Sequence, residues 1–483
     1  MSRSTVFLLT GVLLSIVYYH VAKTPTANNL QNPKSPWRQP RLNVDLCVTI
    51  HNEIVRLGWE GSGRDPQDFK PLEYPLENEK EFRKVLSSDL ISFLQRAHVP
   101  PENLHFHYWV AGLAGIHANR LFWGSFFKSE RKRFVLLYAA TDLDADPLGI
   151  IFDQHFNTAT FCMHTDDIGY IENGRTRWYP LESVLEALRD TIKAGKIKAI
   201  RHDDTETSVE YHPWVQVPYT ERGLEETLDV YDKLLEAIEK RIGGLSHTDN
   251  STIGLVTEDD LYNANILDAF SRKFVLRARQ PHFKYIAPGL QVINPTTFAE
   301  NVFLTVFHDS QFDSHLEHRE LAPPIPLFHS DQECYHPVAK TRRGYRPSFD
   351  YPFSTVERFP AGLYLNSVEH GFHLWDDEST LVLPYAIGSN GFAQKSDGTM
   401  YGDQAYGQMP EARDTPTGIY QPGHRPFGPA HRPLLKDILE HWLMMVDKGH
   451  WKIGPDGVKG GIEEWKKADR RRTWELYVLP ARW

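Results

Sequence analysis

The sequence predicts an α+β fold, on three observations. Apolar β-type runs cluster in the first third of the chain. Amphipathic helical patterns follow those runs and do not alternate strictly with them. The composition, 41% apolar and 12% aromatic over 483 residues, is ample for a buried core and excludes general disorder. The formal net charge of -10 argues against a protein that coats nucleic acid along its whole surface. Three cysteines, Cys47, Cys162 and Cys334, are too few for a disulfide scaffold, and no CxxC is present for a cysteine-rich zinc module.

In chain order, the apolar run from Thr5 to Ala22 predicts a membrane anchor over residues 1–22, because a run of this length barely spans a hydrocarbon core of about 30 Å. Its end, YYHVAK, is a poor signal-cleavage site, which favours retention over secretion. Lys23, Lys34, Arg38 and Arg41 follow the run and place the body on the cytosolic side, as for a single-pass protein of the endoplasmic reticulum. A secreted or lumenal body is the alternative, and the sequon at Asn250 is the residue that points to it as a glycosylation candidate. Residues 23–44 are rich in proline and asparagine and read as a hinge.

The body divides into an α+β unit over 45–245 and a second, loop-rich one over 246–483. The stretch from Asp45 to Val99 reads as helical, with Phe82, Val85, Leu86, Leu90 and Ile91 on one stripe and Pro100-Pro101 as the stop. Strands are expected at Arg133–Ala140, Leu148–Phe152 and Thr158–Met163. Helices are expected from Leu181 to about Ala194, stopped by Gly195, from Gly223 to Ile242 and from Leu261 to Arg279. Residues 280–430, rich in proline and glycine, read as irregular apart from short β-type stretches at Gly362–Leu365 and Leu381–Tyr385. Pro180–Lys198 also aligns without gaps on Leu434–Lys452, each a helix with a glycine stop and a basic end, as two related helical units would give.

Acidic and imidazole clusters are where chemistry is expected. Asp142, Asp144 and Asp146 alternate, so an extended segment would put three carboxylates on one face, a solvated turn being the plainer reading. Asp166-Asp167 follows His164. The richest stretch is NSVEHGFHLWDDES, which carries Glu369, His370, His373, Asp376, Asp377 and Glu378. His370 and His373 are three apart and would meet on a helical turn, as metal ligands do, and His105 and His107 would meet on one face of a strand. No HExxH, GxSxG, Walker loop or GxGxxG occurs, so neither the metal nor the cofactor is identified. Gly388–Gly391 and Lys459–Gly461 read as turns. Three basic patches stand out, Lys128 to Arg133, Lys340 to Arg346 and Lys466 to Arg472, either as solvated surface charge or as a docking stripe for RNA or an anionic surface.

The phrases WYPLESVLEAL, FKYIAPGLQV, PAGLYL, LPYAIGSNGFAQKSDG and GVKGGIEEWKKAD resemble a broad family of fungal proteins from secondary-metabolite gene clusters. Within it the chain is similar to fungal arginine-containing cyclodipeptide synthases, which join two aminoacyl groups drawn from aminoacyl-tRNA. That resemblance implies an aminoacyl transferase, with tRNA and an aminoacyl substrate as partners. The DDxxE motif of those enzymes is not present; Asp203-Asp204-Thr205-Glu206 and Asp376-Asp377-Glu378 each place the glutamate too early. Carried onto this sequence, Asp376, Asp377 and Glu378 would hold a guanidinium and His370 or His373 would take the amine's proton. Two other classes stay open, a membrane-anchored metal-dependent tailoring enzyme and a non-catalytic scaffold.

Overall fold

The computed structural model describes residues 41–479 apart from residues 71, 75–83, 102–103, 115–132, 142–147, 164–177, 202–210, 244–252, 267–268, 310–322, 336–352, 354–355, 367–374, 397, 399, 402–416, 422–426 and 429–430. Its helices are α1 (Val44–Gly61), α2 (Ser88–Leu94), α3 (Leu181–Lys193), α4 (Glu221–Ile242), α5 (Glu258–Asn263), α6 (Phe270–Arg277), α7 (Pro295–Ala299), α8 (Val302–Asp309) and α9 (Leu435–Asp447). The expected helical stretch 45–99 is therefore two helices, separated by a chain that pairs β1 (Leu72–Glu73) antiparallel with β2 (His98–Val99). The stretch 261–279 likewise holds the end of α5 and the separate α6.

Helix α1 starts where the Asn43 side chain accepts the Leu46 N–H. It buries Cys47, Ile50, His51, Ile54, Val55 and Gly58, a three-and-four spacing that lays one face on α3. Helix α3 buries Leu181, Val184, Leu185 and Leu188 and ends at Gly195, whose φ of 76° suits glycine. These helices share a core with an antiparallel five-stranded meander: β3 (Val110–Leu113), β4 (Phe134–Ala140), β5 (Gly149–Asp153), β6 (Thr158–Cys162) and β7 (Tyr179–Pro180). All five residues of β5 are buried, so the strand reads as continuous apolar sequence without alternation. A short antiparallel pair, β8 (Ile197–Ala199) and β9 (Trp214–Gln216), follows α3.

Among the described residues, the second sheet has eight strands in the order β15-β14-β13-β12-β11-β10-β17-β16. They are β10 (Tyr285–Ala287), β11 (Leu290–Val292), β12 (Ile325–Tyr335), β13 (Arg358–Leu365), β14 (Ser379–Leu383), β15 (Thr417–Ile419), β16 (Ile453–Gly454) and β17 (Gly457–Val458). All neighbours are antiparallel except β10 and β17. The irregularity expected over 280–430 gives way here to most of this sheet. Helices α4 and α9 pack on each other in its core.

The α+β class is what the structure shows, and the element series occurs twice. Each series holds a long helix (α1, α4), an antiparallel sheet, a 13-residue helix (α3, α9), a left-handed glycine (Gly195, Gly449) and a short antiparallel strand pair. Helix α4 belongs to the second core, with Leu224, Tyr231, Leu234 and Ile238.

The membrane reading is corrected. Residues 5–22 lie outside the described residues, and no helix among the described residues is long and apolar enough to cross a membrane. The single-pass assignment at the endoplasmic reticulum loses its basis with it. The longest amphipathic helix, α4, carries charge on its outer face, with Glu225, Asp229, Lys233 and Glu236 in its length, so it is built to lie on a core.

Candidate functional site

Of the five residues singled out for catalysis, the structure describes Asp376, Asp377 and Glu378; His370 and His373 lie outside the described residues. The three acidic residues form the approach to β14 and are stapled on both sides. The Asp376 N–H donates to Pro218 O at 3.0 Å, Leu435 N–H to Asp377 O at 2.8 Å, and Ser379 N–H to Pro433 O at 2.9 Å. This segment thus ties the start of α4 and the start of α9 together.

Asp377 and Glu378 are buried, 5% and 1% exposed. The Asp377 carboxylate meets the ammonium of Lys196, itself 3% exposed, at 2.5 Å. Lys196 also donates to Pro218 O at 3.4 Å and lies 5.1 Å from the centre of the Trp375 ring. A buried lysine is held charged only by such partners, and here a carboxylate, a carbonyl and an aromatic face supply them. Glu378 accepts the Arg432 N–H at 3.1 Å, and its other oxygen lies 3.8 Å from His431 Nδ1. His431 Nδ1 is 2.7 Å from Arg432 O, so it carries the proton and donates it there. Trp375 packs edge-on against His431 at 4.6 Å and tilted against Trp109 at 6.0 Å. The cluster is a charged seam between the two cores, and Asp377 already has its cation.

The other sequence candidates among the described residues do not assemble beside it. His105 packs against Tyr211, while His107 is fully buried with Nε2 3.0 Å from Thr191 Oγ1. Burial pulls the His107 pKa down to about 3, which keeps the ring neutral. No group of three or more histidine, cysteine, aspartate or glutamate side chains among the described residues is placed to hold a metal ion. Asp142, Asp144, Asp146, His164, Asp166, Asp167, Asp203 to Glu206, Asn250 and Glu369 lie outside the described residues. Of the basic patches, Arg133 is committed to a two-pronged pair with Asp153 at 3.0 and 2.8 Å, and Lys466 and Lys467 pair with Glu463 and Glu464. All three cysteines are buried thiols.

A hollow of about 370 Å³ opens on the second sheet, at the junction of β10, β12 and β17. Its wall runs from Gly454 to Ile462, and Tyr285, Gly289, Ser330, Asp331 and Gln332 complete it. No family model, curated protein or solved structure matches this chain. The hollow must therefore be read from its own chemistry.

The wall is fixed from behind. Asp456 O accepts the N–H groups of Lys284 and Tyr285 at 3.1 and 2.9 Å, and Lys459 N–H donates to Lys452 O at 2.7 Å. Tyr385 donates its hydroxyl to Ile462 O at 2.6 Å, and the Trp465 indole N–H donates to Pro288 O at 2.9 Å. The 3₁₀ helix Ile462–Asp469 that follows is anchored at its far end by Asp469. That buried carboxylate accepts four backbone N–H groups, of Gly388, Asn390, Phe392 and Ala393, at 2.8 to 3.0 Å. The phrase GSNGFAQ, expected as a turn, is a turn whose donors wrap a carboxylate contributed 76 residues or more further along the chain.

Sequence reasoning passed over the hollow because its residues read as turns. Pro455-Asp456-Gly457 and Gly460-Gly461 carry turn chemistry, and only the pairing of β17 with β10 makes them a wall.

Proposed function

We propose that the chain binds a small polar metabolite in the hollow bounded by Gly454–Ile462, Tyr285 and Ser330–Gln332. One observation carries the reading: a hollow of about 370 Å³ whose glycine-rich wall is held from behind by Tyr385, Trp465 and Asp469. Volumes of this order match small-molecule sites, and a wall set in advance by hydrogen bonds binds at less entropic cost than a loose one. The likeness of the chain's phrases to secondary-metabolite-cluster proteins fits a metabolite as the occupant. Gly461 offers a test that leaves the fold alone, since its φ of -79° is open to any residue and a Cβ there meets nothing within 4 Å. The full chain, incubated with a metabolite extract and washed, is expected to retain a compound seen by mass spectrometry that Gly461→Trp fails to retain. Equal retention by both proteins overturns the assignment of the site.

A second reading, aminoacyl transfer as in the cyclodipeptide synthases, has one observation in its favour. Glu378 is buried with one oxygen 3.8 Å from His431 Nδ1, and because that nitrogen gives its proton to Arg432 O, Nε2 is the ring atom able to take a proton. Expression of the chain in a clean host, compared with Glu378→Gln and His431→Asn, tests it. A diketopiperazine lost in both soluble variants supports transfer, and identical extracts from all three strains exclude it.

A further inference from the structure

We infer that the hollow selects a small zwitterion, with its ammonium end at Asp456 and its carboxylate end at Lys459 and the Gly460–Gly461 backbone; this rests on the binding site proposed above. The charges lining the hollow are Asp331, Asp456 and Lys459. Asp331 is spoken for: it accepts from Gln291 Nε2 at 2.8 Å and lies 3.7 Å from Lys284 Nζ. The carboxylate of Asp456 and the ammonium of Lys459 have no hydrogen bond or ion pair to any described residue. They stand at opposite ends of the two-residue strand β17, with main chains fixed through Asp456 O and Lys459 N–H. Four consecutive residues span at most about 10 Å between their outer Cα atoms. Two opposite charges carried by fixed main chain on one wall of a hollow of about 370 Å³ match a molecule with an amine at one end and an acid at the other.

The Lys459 stem is set in place by its neighbour. A Cβ on Gly454 would fall 2.4 Å from Lys459 Cε, so the bare glycine lets the stem lie flat on the strand pair. Beyond it, Gly460 holds a φ of 96° with the Glu464 side chain beside it, and Gly461 has open space in front of its Cα, so the backbone is open to an incoming carboxylate on the Gly461 side. A simple cation would leave Lys459 without a partner, and a simple anion would leave Asp456 without one.

Titration of the full chain with three probes of one length decides this: 6-aminohexanoate, hexylamine and hexanoate, followed by amide shifts at Gly457, Gly460 and Gly461. The expected result is that 6-aminohexanoate binds at least tenfold more tightly than either single-charge probe. Asp456→Asn and Lys459→Met, both at exposed positions, should each abolish that advantage, and Asp229→Asn, on the outer face of α4, should preserve it. Equal binding of all three probes overturns the zwitterion and leaves the site standing. An advantage that survives both Asp456→Asn and Lys459→Met also overturns it. A metabolite retained by the wild type and equally by Gly461→Trp removes the site itself, an outcome these probes do not produce.

Discussion

Lys196 and Asp377 show how much depends on single side chains in the seam. Both are buried, and removing one leaves the other charged without a partner in a low-dielectric setting. Lys196→Met is expected to lower unfolding free energy by about 3–5 kcal/mol, and the double variant Lys196→Met/Asp377→Leu to recover most of the loss. Urea unfolding of the four proteins in a double-mutant cycle checks this, and additive losses would remove the coupling. Sequence reading picked out Asp377 and Glu378 by their density of charge but not their partners. Lys196 lies 181 residues away from Asp377, and nothing in its own surroundings, AGKIK, sets it apart from a surface lysine. His431 sits in HRP with no apolar periodicity to announce that it is buried.

The buried imidazoles give a second residue-scale expectation. Burial pulls His51 to about 4, His107 to about 3 and His441 to about 4, against 6.5 for an exposed ring. Burial sets the low value for His51 against the opposite pull of His98 O, which takes the Nε2 proton at 2.7 Å, while Nδ1 lies 2.8 Å from the Tyr138 hydroxyl. Between pH 6.5 and about 4 the unfolded chain binds protons that the folded chain refuses, so stability falls as pH falls through that window. Each histidine contributes a slope of about 1 kcal/mol per pH unit near pH 5. His441→Phe is expected to lower the measured slope by that amount, read from urea midpoints at pH 6 and pH 5, and an unchanged slope would mean that His441 already takes up its proton in the folded state.

At the scale of elements, helices α3, α4 and α9 were legible because a three-and-four apolar spacing is a local property. Helices α3, α4 and α9 lie where Leu181, Val184, Leu185 and Leu188, or Leu435, Ile438, Leu439 and Trp442, put them. Beyond the stretches at Gly362–Leu365 and Leu381–Tyr385, which fall in β13 and β14, the second sheet was not legible, for the opposite reason. Strand β13 is buried along most of its length, so alternation is lost, and Pro326 and Pro360 interrupt the runs at positions where the register shifts or the ring is tolerated. Strands β16 and β17 have two residues each, too few to carry any period. What sets them in place is the glycine that lets chains touch. Gly289 has a φ of 71°, and a Cβ there would lie 2.4 Å from Ile462 N. Gly289→Ala is expected to cost more than the roughly 1–2 kcal/mol of left-handed strain alone and to weaken ligand binding, because the Ile462 wall must retreat. Gly449→Ala makes the control, with a φ of 68° and nothing within 4 Å of the added methyl, so it should cost only the strain and leave binding unchanged. Equal thermal and binding effects in the two variants would break the link between the wall and the site.

At the scale of the molecule, the two element series are joined by the segment 375–378 more than by sequence adjacency. Trp375, from the second half of the chain, is 2% exposed and packs in the first core with Trp109, and Phe427 joins it there against Tyr179. A fragment ending at residue 217 would lose both aromatic plugs and leave Lys196 buried without Asp377. Loss of one buried tryptophan costs about 3–5 kcal/mol, and loss of the ion partner a similar amount. Their sum rivals the whole stability of a domain, about 5–15 kcal/mol. Residues 41–217 made alone are therefore expected to show no cooperative urea transition, while the full chain unfolds with the two cores coupled. Trp375→Ala in the full chain should separate the coupling, with the first core melting at lower denaturant than the second when followed by hydrogen exchange at β5 and β12. A sharp, native-like transition in the isolated fragment would show that the first core closes without the seam, and the charged cluster at Lys196, Asp377, Glu378 and His431 would then have to be kept for something other than joining the halves.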